Sequence, residues 1–120
     1  MAVKIKRIYE PAAKSDGHRV LVDRLWPRGI KREQAAIDEW AREVAPSQEL
    51  RHWFGHDPER FDEFRRRYIE ELHDHSEELQ ALRDGARTGT VTLLFGARDT
   101  EHNNAAVLAE LLGDSRASRA

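Results

Sequence analysis

Thr90-Val91-Thr92-Leu93-Leu94-Phe95 is a run of β-branched, aliphatic and aromatic residues, preceded by Gly89 and ended by Gly96. A run of that composition between two glycines reads as a strand. Working back, Arg19-Val20-Leu21-Val22-Asp23-Arg24-Leu25 reads as a second strand. Its Val20-Leu21-Val22 centre is apolar on both faces, as in a central strand covered by helices on each side. It stops at Trp26-Pro27-Arg28-Gly29, because proline cannot donate to a ladder and glycine permits a sharp bend. The opening Val3-Lys4-Ile5-Lys6-Arg7-Ile8-Tyr9 mixes apolar and basic residues and reads as a half-buried strand, ending at Glu10-Pro11 before a Ser15-Asp16-Gly17 turn.

Forward from Phe95, the polar loop Ala97-Arg98-Asp99-Thr100-Glu101-His102 leads to a helix capped by Asn103 or Asn104. Val107, Leu108, Leu111 and Leu112 form its apolar stripe, and Gly113 stands where a C-terminal cap belongs. Asp114 to Ala120 reads as a frayed tail, leaving residues 1–113 as a single domain. Some sixty mostly helical residues separate the second of these strands from Thr90. Asp57-Pro58 is an N-cap followed by proline at the first helical position, and Phe61, Phe64, Tyr68 and Leu72 recur at helical spacing. Leu79 and Leu82 extend that stripe towards Gly85, with His73-Asp74-His75-Ser76 as a break between two helices. Leu50, Trp53 and Phe54 fit a short helix capped by Ser47 and ended by Gly55.

Residues 37–45 admit two readings. Ile37, Trp40, Ala41 and Val44 have the spacing of a helix face, but a short helix over 31–36 followed by a strand into Ala45-Pro46-Ser47 is preferred. The preferred reading gathers Trp26-Pro27-Arg28-Gly29, Ala45-Pro46-Ser47 and Gly96-Ala97-Arg98-Asp99 at the carboxyl ends of parallel strands, where open α/β sheets bind ligands. The fold expected is α/β: a small, mainly parallel sheet of three to four strands flanked by helices, in a Rossmann-like three-layer arrangement.

Composition narrows the function classes. The 120 residues carry 20 basic and 22 acidic side chains, a net charge of -2, so nucleic-acid binding across the whole surface is disfavoured. There is no cysteine, which excludes disulfides, a thiol nucleophile and cysteine-ligated zinc. No apolar run is long enough to span a membrane and no signal-peptide core is seen, so a cytoplasmic location is expected.

Several long motifs carry a family likeness. Arg19 to Gly29, Asp38-Glu39-Trp40, Ala45-Pro46-Ser47, Leu50 to Pro58, Phe64-Arg65-Arg66-Arg67-Tyr68 and Glu101-His102-Asn103-Asn104-Ala105 together resemble the YeaO-like bacterial family of unknown function, the DUF488 group. The likeness runs from about residue 3 to residue 112. It implies a compact α/β fold in a bacterial cytoplasmic protein and brings no activity with it. Phe95-Gly96 stands where a strand of the family often reads Tyr-Ala. A broader branch tends to carry Cys-His where this chain has His102-Asn103, so thiol chemistry of that branch does not transfer.

Three constellations are candidates for chemistry. Arg24, Arg28 and Arg98 at two strand ends, facing the helix start at Asn103 and Asn104, would make an anion pocket, with Trp26 as its wall. The plainer reading pairs those arginines with Asp23, Asp99 and Glu101. Asp99 and His102 would supply acid–base function, with Asp23 as a further carboxylate. His52 and His56 are four apart but interrupted by Gly55, which favours a locked loop, with His56 bonded to backbone, over a metal site. Arg65-Arg66-Arg67 lies among Asp62, Glu63, Glu70 and Glu71 and reads as a salt-bridged helix face. No cofactor or metal is expected. The leading expectation is a protein that binds or acts on a small anionic metabolite. A regulatory or scaffolding protein working through a homodimer or partner interface is the alternative, and nucleic-acid binding is the weakest of the three.

Overall fold

Four strands form one all-parallel sheet: β1 (Ala2–Arg7), β2 (His18–Leu21), β3 (Glu39–Trp40) and β4 (Thr90–Phe95), in the order β1-β4-β2-β3. The structure is a computed structural model that describes residues 2–117, with side chains through residue 113. Among the described residues there are four α-helices between the strands, α1 (Arg32–Ala35), α2 (Gln48–Phe54), α3 (Phe61–Leu72) and α4 (Ser76–Thr88), and a fifth, α5 (Asn104–Ala117), after β4. The expected α/β class is thus observed, with four parallel strands.

Alternation along β4 decides which side chains meet which layer. Val91, Leu93 and Phe95 join Val20 and Val22 beneath α2 to α5, in the larger core cluster with Phe64, Tyr68, Leu72 and Leu108. Leu94 turns to the opposite face with Leu21 and Ile8, under Ala35, Trp26 and Trp40. That second covering is built from short pieces, and part of the face is polar. Arg19 is buried there, donating to Asp16 (2.5 Å) and to the carbonyls of Ala35 (2.7 Å) and Ala36 (3.0 Å). Lys6 reaches both Asp16 carboxylate oxygens at 3.1 Å, and Thr92 donates to the Asp16 carbonyl at 2.6 Å. Hydrogen bonds therefore replace apolar burial across much of this layer.

Residues 37–45 take the strand reading, in shortened form. Ala36 adopts a left-handed conformation that stops α1, and Glu39 and Trp40 then pair with Val20 and Leu21. A 3₁₀ turn over Arg42–Val44 follows, so helical spacing there reflects two-sided burial and not a helix. The second strand is shorter than residues 19–25. Val22 still donates to the Leu94 carbonyl at 3.1 Å, but at Asp23 the chain leaves the sheet. A 3₁₀ turn at His73–His75 separates α3 from α4, where the break was expected. Gly113 is not a helix end, since α5 runs through Ala117. The side chains of 114–117 and all of 118–120, the rest of the expected tail, lie outside the described residues.

The strand order creates a switch point. From β2 the chain moves outward through α1 to β3, whereas from β4 it turns into α5, which packs on β1 and β4. The connections after the two central strands diverge, and a crevice opens between them.

Candidate functional site

That crevice is a cavity of about 400 Å³ at the carboxyl ends of β2 and β4. Asp23, the first residue past the β2 pairing, spans it. Its Oδ2 accepts the Gly96 amide at 2.9 Å and its Oδ1 accepts the Asn104 side-chain amide at 3.1 Å. Asn104 also donates to the Val22 carbonyl at 2.9 Å, and Trp40 Nε1 donates to the Asp23 carbonyl at 2.7 Å. Burial pushes the Asp23 carboxyl up. The Gly96 amide, the Asn104 amide and the electrostatic pull of Arg51 and His56 lower it without fully offsetting that cost.

The next residues form the rim. Arg24 Nε donates to the Pro46 carbonyl at 3.1 Å, tying the end of β2 to the loop after β3. Trp26 Nε1 donates to the Ile30 carbonyl at 2.8 Å, closing a turn in which Gly29 has φ of 81°. The Trp26 ring meets Trp40 edge-on at 5.4 Å and carries the Arg32 guanidinium at 4.8 Å. Exposed Arg28 has its carbonyl held by the Tyr9 hydroxyl at 2.8 Å, while its side chain lines the cavity.

The opposite wall comes from α2. Ser47 caps this helix by accepting the Leu50 amide at 3.1 Å, and Glu71 grips both the Ser47 amide (2.8 Å) and hydroxyl (2.6 Å). Arg51 projects from α2 onto the cavity. Two successive left-handed residues, Gly55 (φ 54°) and His56 (φ 59°), then turn the chain and set His56 on the same wall. Among the described residues His56 makes no side-chain hydrogen bond, contrary to the expected bond to backbone. Asp57 accepts the Glu59 amide at 3.0 Å, the capping role expected of it.

The cavity thus brings together Arg24, Trp26, Arg28, Asn103 and Asn104. It does not bring in Arg98, Asp99 or His102. Arg98 is exposed beyond the rim. Asp99 Oδ1 accepts the amides of Glu101 and His102, both at 2.9 Å, while His102 Nδ1 lies 2.9 Å from Asp99 Oδ2. Those two amides and the imidazole hold the Asp99 carboxyl below the ordinary carboxylate range. The His102 ring stands edge-on to Phe61 at 5.2 Å. Of the two asparagines, buried Asn103 is the cap, accepting the Ala106 amide at 2.8 Å.

Arg51 and His56 are the site residues that sequence reasoning missed. Arg51 reads as one more charge on a short helix, and a left-handed histidine leaves no periodic signal. Among the described residues no group of three or more His, Asp or Glu side chains is placed to hold a metal, and no helix is long and apolar enough to cross a membrane.

The chain is similar to the uncharacterized protein YeaO of Escherichia coli, 47% identical over 112 residues that cover 93% of this chain and 97% of the relative. It is 49% identical over 110 residues to the uncharacterized proteins Mb3100c of Mycobacterium bovis and Rv3073c of Mycobacterium tuberculosis, covering 92% of each chain. No solved structure matches. The family described as the inactive DUF488-N3 subclade matches residues 2–120, and the chain belongs to it.

Proposed function

We propose that this protein binds a small anionic metabolite in the cavity between the carboxyl ends of β2 and β4, and that it binds without turning its ligand over. One observation carries the reading. Among the described residues, Arg28, Arg51 and Arg98 are the arginines that make no side-chain hydrogen bond, ion pair or ring contact, and two of these three line the cavity. Elsewhere arginines are engaged, as in Arg19 with Asp16, Arg65 with Glu110 and Arg67 with Glu63. With Arg24, the wall carries three guanidinium groups against the single carboxylate of Asp23. Planar guanidinium forks match carboxylate and phosphate, and the apolar walls of Phe54 and Phe64 strengthen such attraction by excluding water.

Binding without catalysis fits the family's description as inactive. It also fits a site from which the Asp99–His102 pair is absent, that pair serving to hold the turn before α5. A homodimer or partner surface has less behind it. Tyr9 and Leu25, 42% and 61% exposed, are the large apolar residues on the described surface, and two residues fall short of an interface patch.

Thermal-shift and calorimetric titrations with phosphorylated and carboxylated metabolites test the reading. A binder should stabilise the wild type and lose most of its effect on Arg28→Ala and Arg51→Ala. If no anion stabilises the wild type more than these variants, the cavity is not an anion site.

A further inference from the structure

The cavity is cationic on its rim but not throughout. Asp23 is its one acidic wall residue, fixed at the end of β2 by the Gly96 and Asn104 amides. Each of its oxygens accepts a single N–H, and a carboxylate has about four acceptor positions, so about two stay open. Arg51 and His56 act on it through space, with no hydrogen bond to it. A ligand that is only an anion would meet repulsion from this carboxylate. A ligand that also carries a proton-rich cation would fill the open acceptor positions. The space suits such a molecule, since about 400 Å³ lies in the range of small-metabolite sites, and Phe54, Phe64 and Trp26 offer apolar wall to a short carbon skeleton.

We infer that the ligand is an amino-functional acid: a small metabolite whose carboxylate or phosphate is held by Arg24, Arg28 and Arg51 while its protonated amine is held by Asp23. This rests on the anion-binding reading and narrows it. The carboxylate fixes the orientation of the ligand, and it selects against the same acid without the amine. Selectivity of this kind arises because the disfavoured ligand covers the half-buried carboxylate without filling its open acceptor positions.

Two matched pairs test the inference by isothermal titration calorimetry: L-glutamate against glutarate, and phosphoethanolamine against ethyl phosphate. The amine-bearing member of at least one pair should bind wild type about tenfold or more tighter than its partner, and the pair that responds identifies the anionic group. In Asp23→Asn the preference should vanish, with the amine-free acid bound as well as before or better. Arg28→Ala should weaken both members together. If the amine-free acids bind wild type as tightly as their partners, the amine site is wrong and the anion site stands. If neither member of either pair binds, both readings fall. The wild-type ratio needs no variant, so the test decides even if Asp23→Asn does not fold.

Discussion

The Asp23 carboxylate receives the Gly96 amide at 2.9 Å, joining the ends of the two central strands beneath the cavity. The approach leaves little space for a side chain at position 96. A Cβ there would stand 3.2 Å from Asp23 Oδ2 and 3.7 Å from Pro27 Cβ. An alanine at 96 therefore needs only a small retreat of the carboxylate.

A larger residue has no such escape. Gly96→Val should cost about 2–3 kcal/mol, through overpacking against Asp23 and Pro27. Part of that cost belongs to the pair itself. In an Asp23→Ala background the same substitution should cost about 1 kcal/mol less, a coupling that urea melts of the four proteins in a double-mutant cycle would read. Strict additivity would show that the two positions do not press on one another.

Asp16 and Asp23 should move stability in opposite directions with pH. Burial alone would raise Asp16, but the Ala13 amide, Lys6 and Arg19 together bring its pKa below the ordinary value. Its stabilisation is therefore complete above about pH 4, the unfolded value, and is lost as pH falls through the lower folded value. Asp16→Asn should cost about 3–5 kcal/mol at neutral pH, because it leaves the buried Arg19 uncompensated, and the gap to wild type should close below about pH 4. Asp23 has a raised pKa, so the folded state takes its proton first. The stability of wild type relative to Asp23→Asn should therefore rise as pH falls from neutral towards about 4. Urea melts from pH 3 to pH 8 on the three proteins separate the two signs.

Neighbouring substitutions on the rim should differ sharply. Gly29 has φ of 81°, a conformation β-branched residues resist, with no atom nearby to clash with a side chain. Gly29→Val should cost about 1–3 kcal/mol from backbone strain alone. Among the described residues the exposed Arg28 side chain makes no hydrogen bond, ion pair or ring contact, so Arg28→Ala should change stability by less than about 0.5 kcal/mol while removing anion binding. Equal losses in denaturation would make the arginine structural.

The Asp99–His102 pair offers a converse test. Asp99→Ala removes the acceptor for the Glu101 and His102 amides at the entry to α5, and should lower the urea midpoint. Ligand affinity of the folded variant should stay close to wild type, because neither residue lines the cavity. Loss of binding without loss of stability would place the pair in the site after all.

Much of this protein is written locally in its sequence. The Thr90–Phe95 strand, the Phe64, Tyr68 and Leu72 stripe and the Ser47 cap follow from side-chain shape, period and short-range hydrogen bonding, which depend on neighbours in the chain. The gathering of Trp26-Pro27-Arg28, Pro46 and Gly96 at one edge is legible too, since parallel strands place their carboxyl ends together. Tertiary structure decided the rest. The order β1-β4-β2-β3 rests on which hydrophobic faces meet, and no local rule encodes it. Residues 37–45 became strand and 3₁₀ turn because Val20 and Leu21 supplied a pairing edge. Arg51 and His56 come to Asp23 across separations of 28 and 33 residues, the histidine through a left-handed turn that nothing in its neighbourhood predicts. Asp99 and His102, adjacent in sequence to the right edge, do not line the cavity, and the amides of residues 101 and 102 hold the Asp99 carboxylate in the turn before α5. Proximity in sequence places a residue near a site, but only the long-range packing sets where its side chain points.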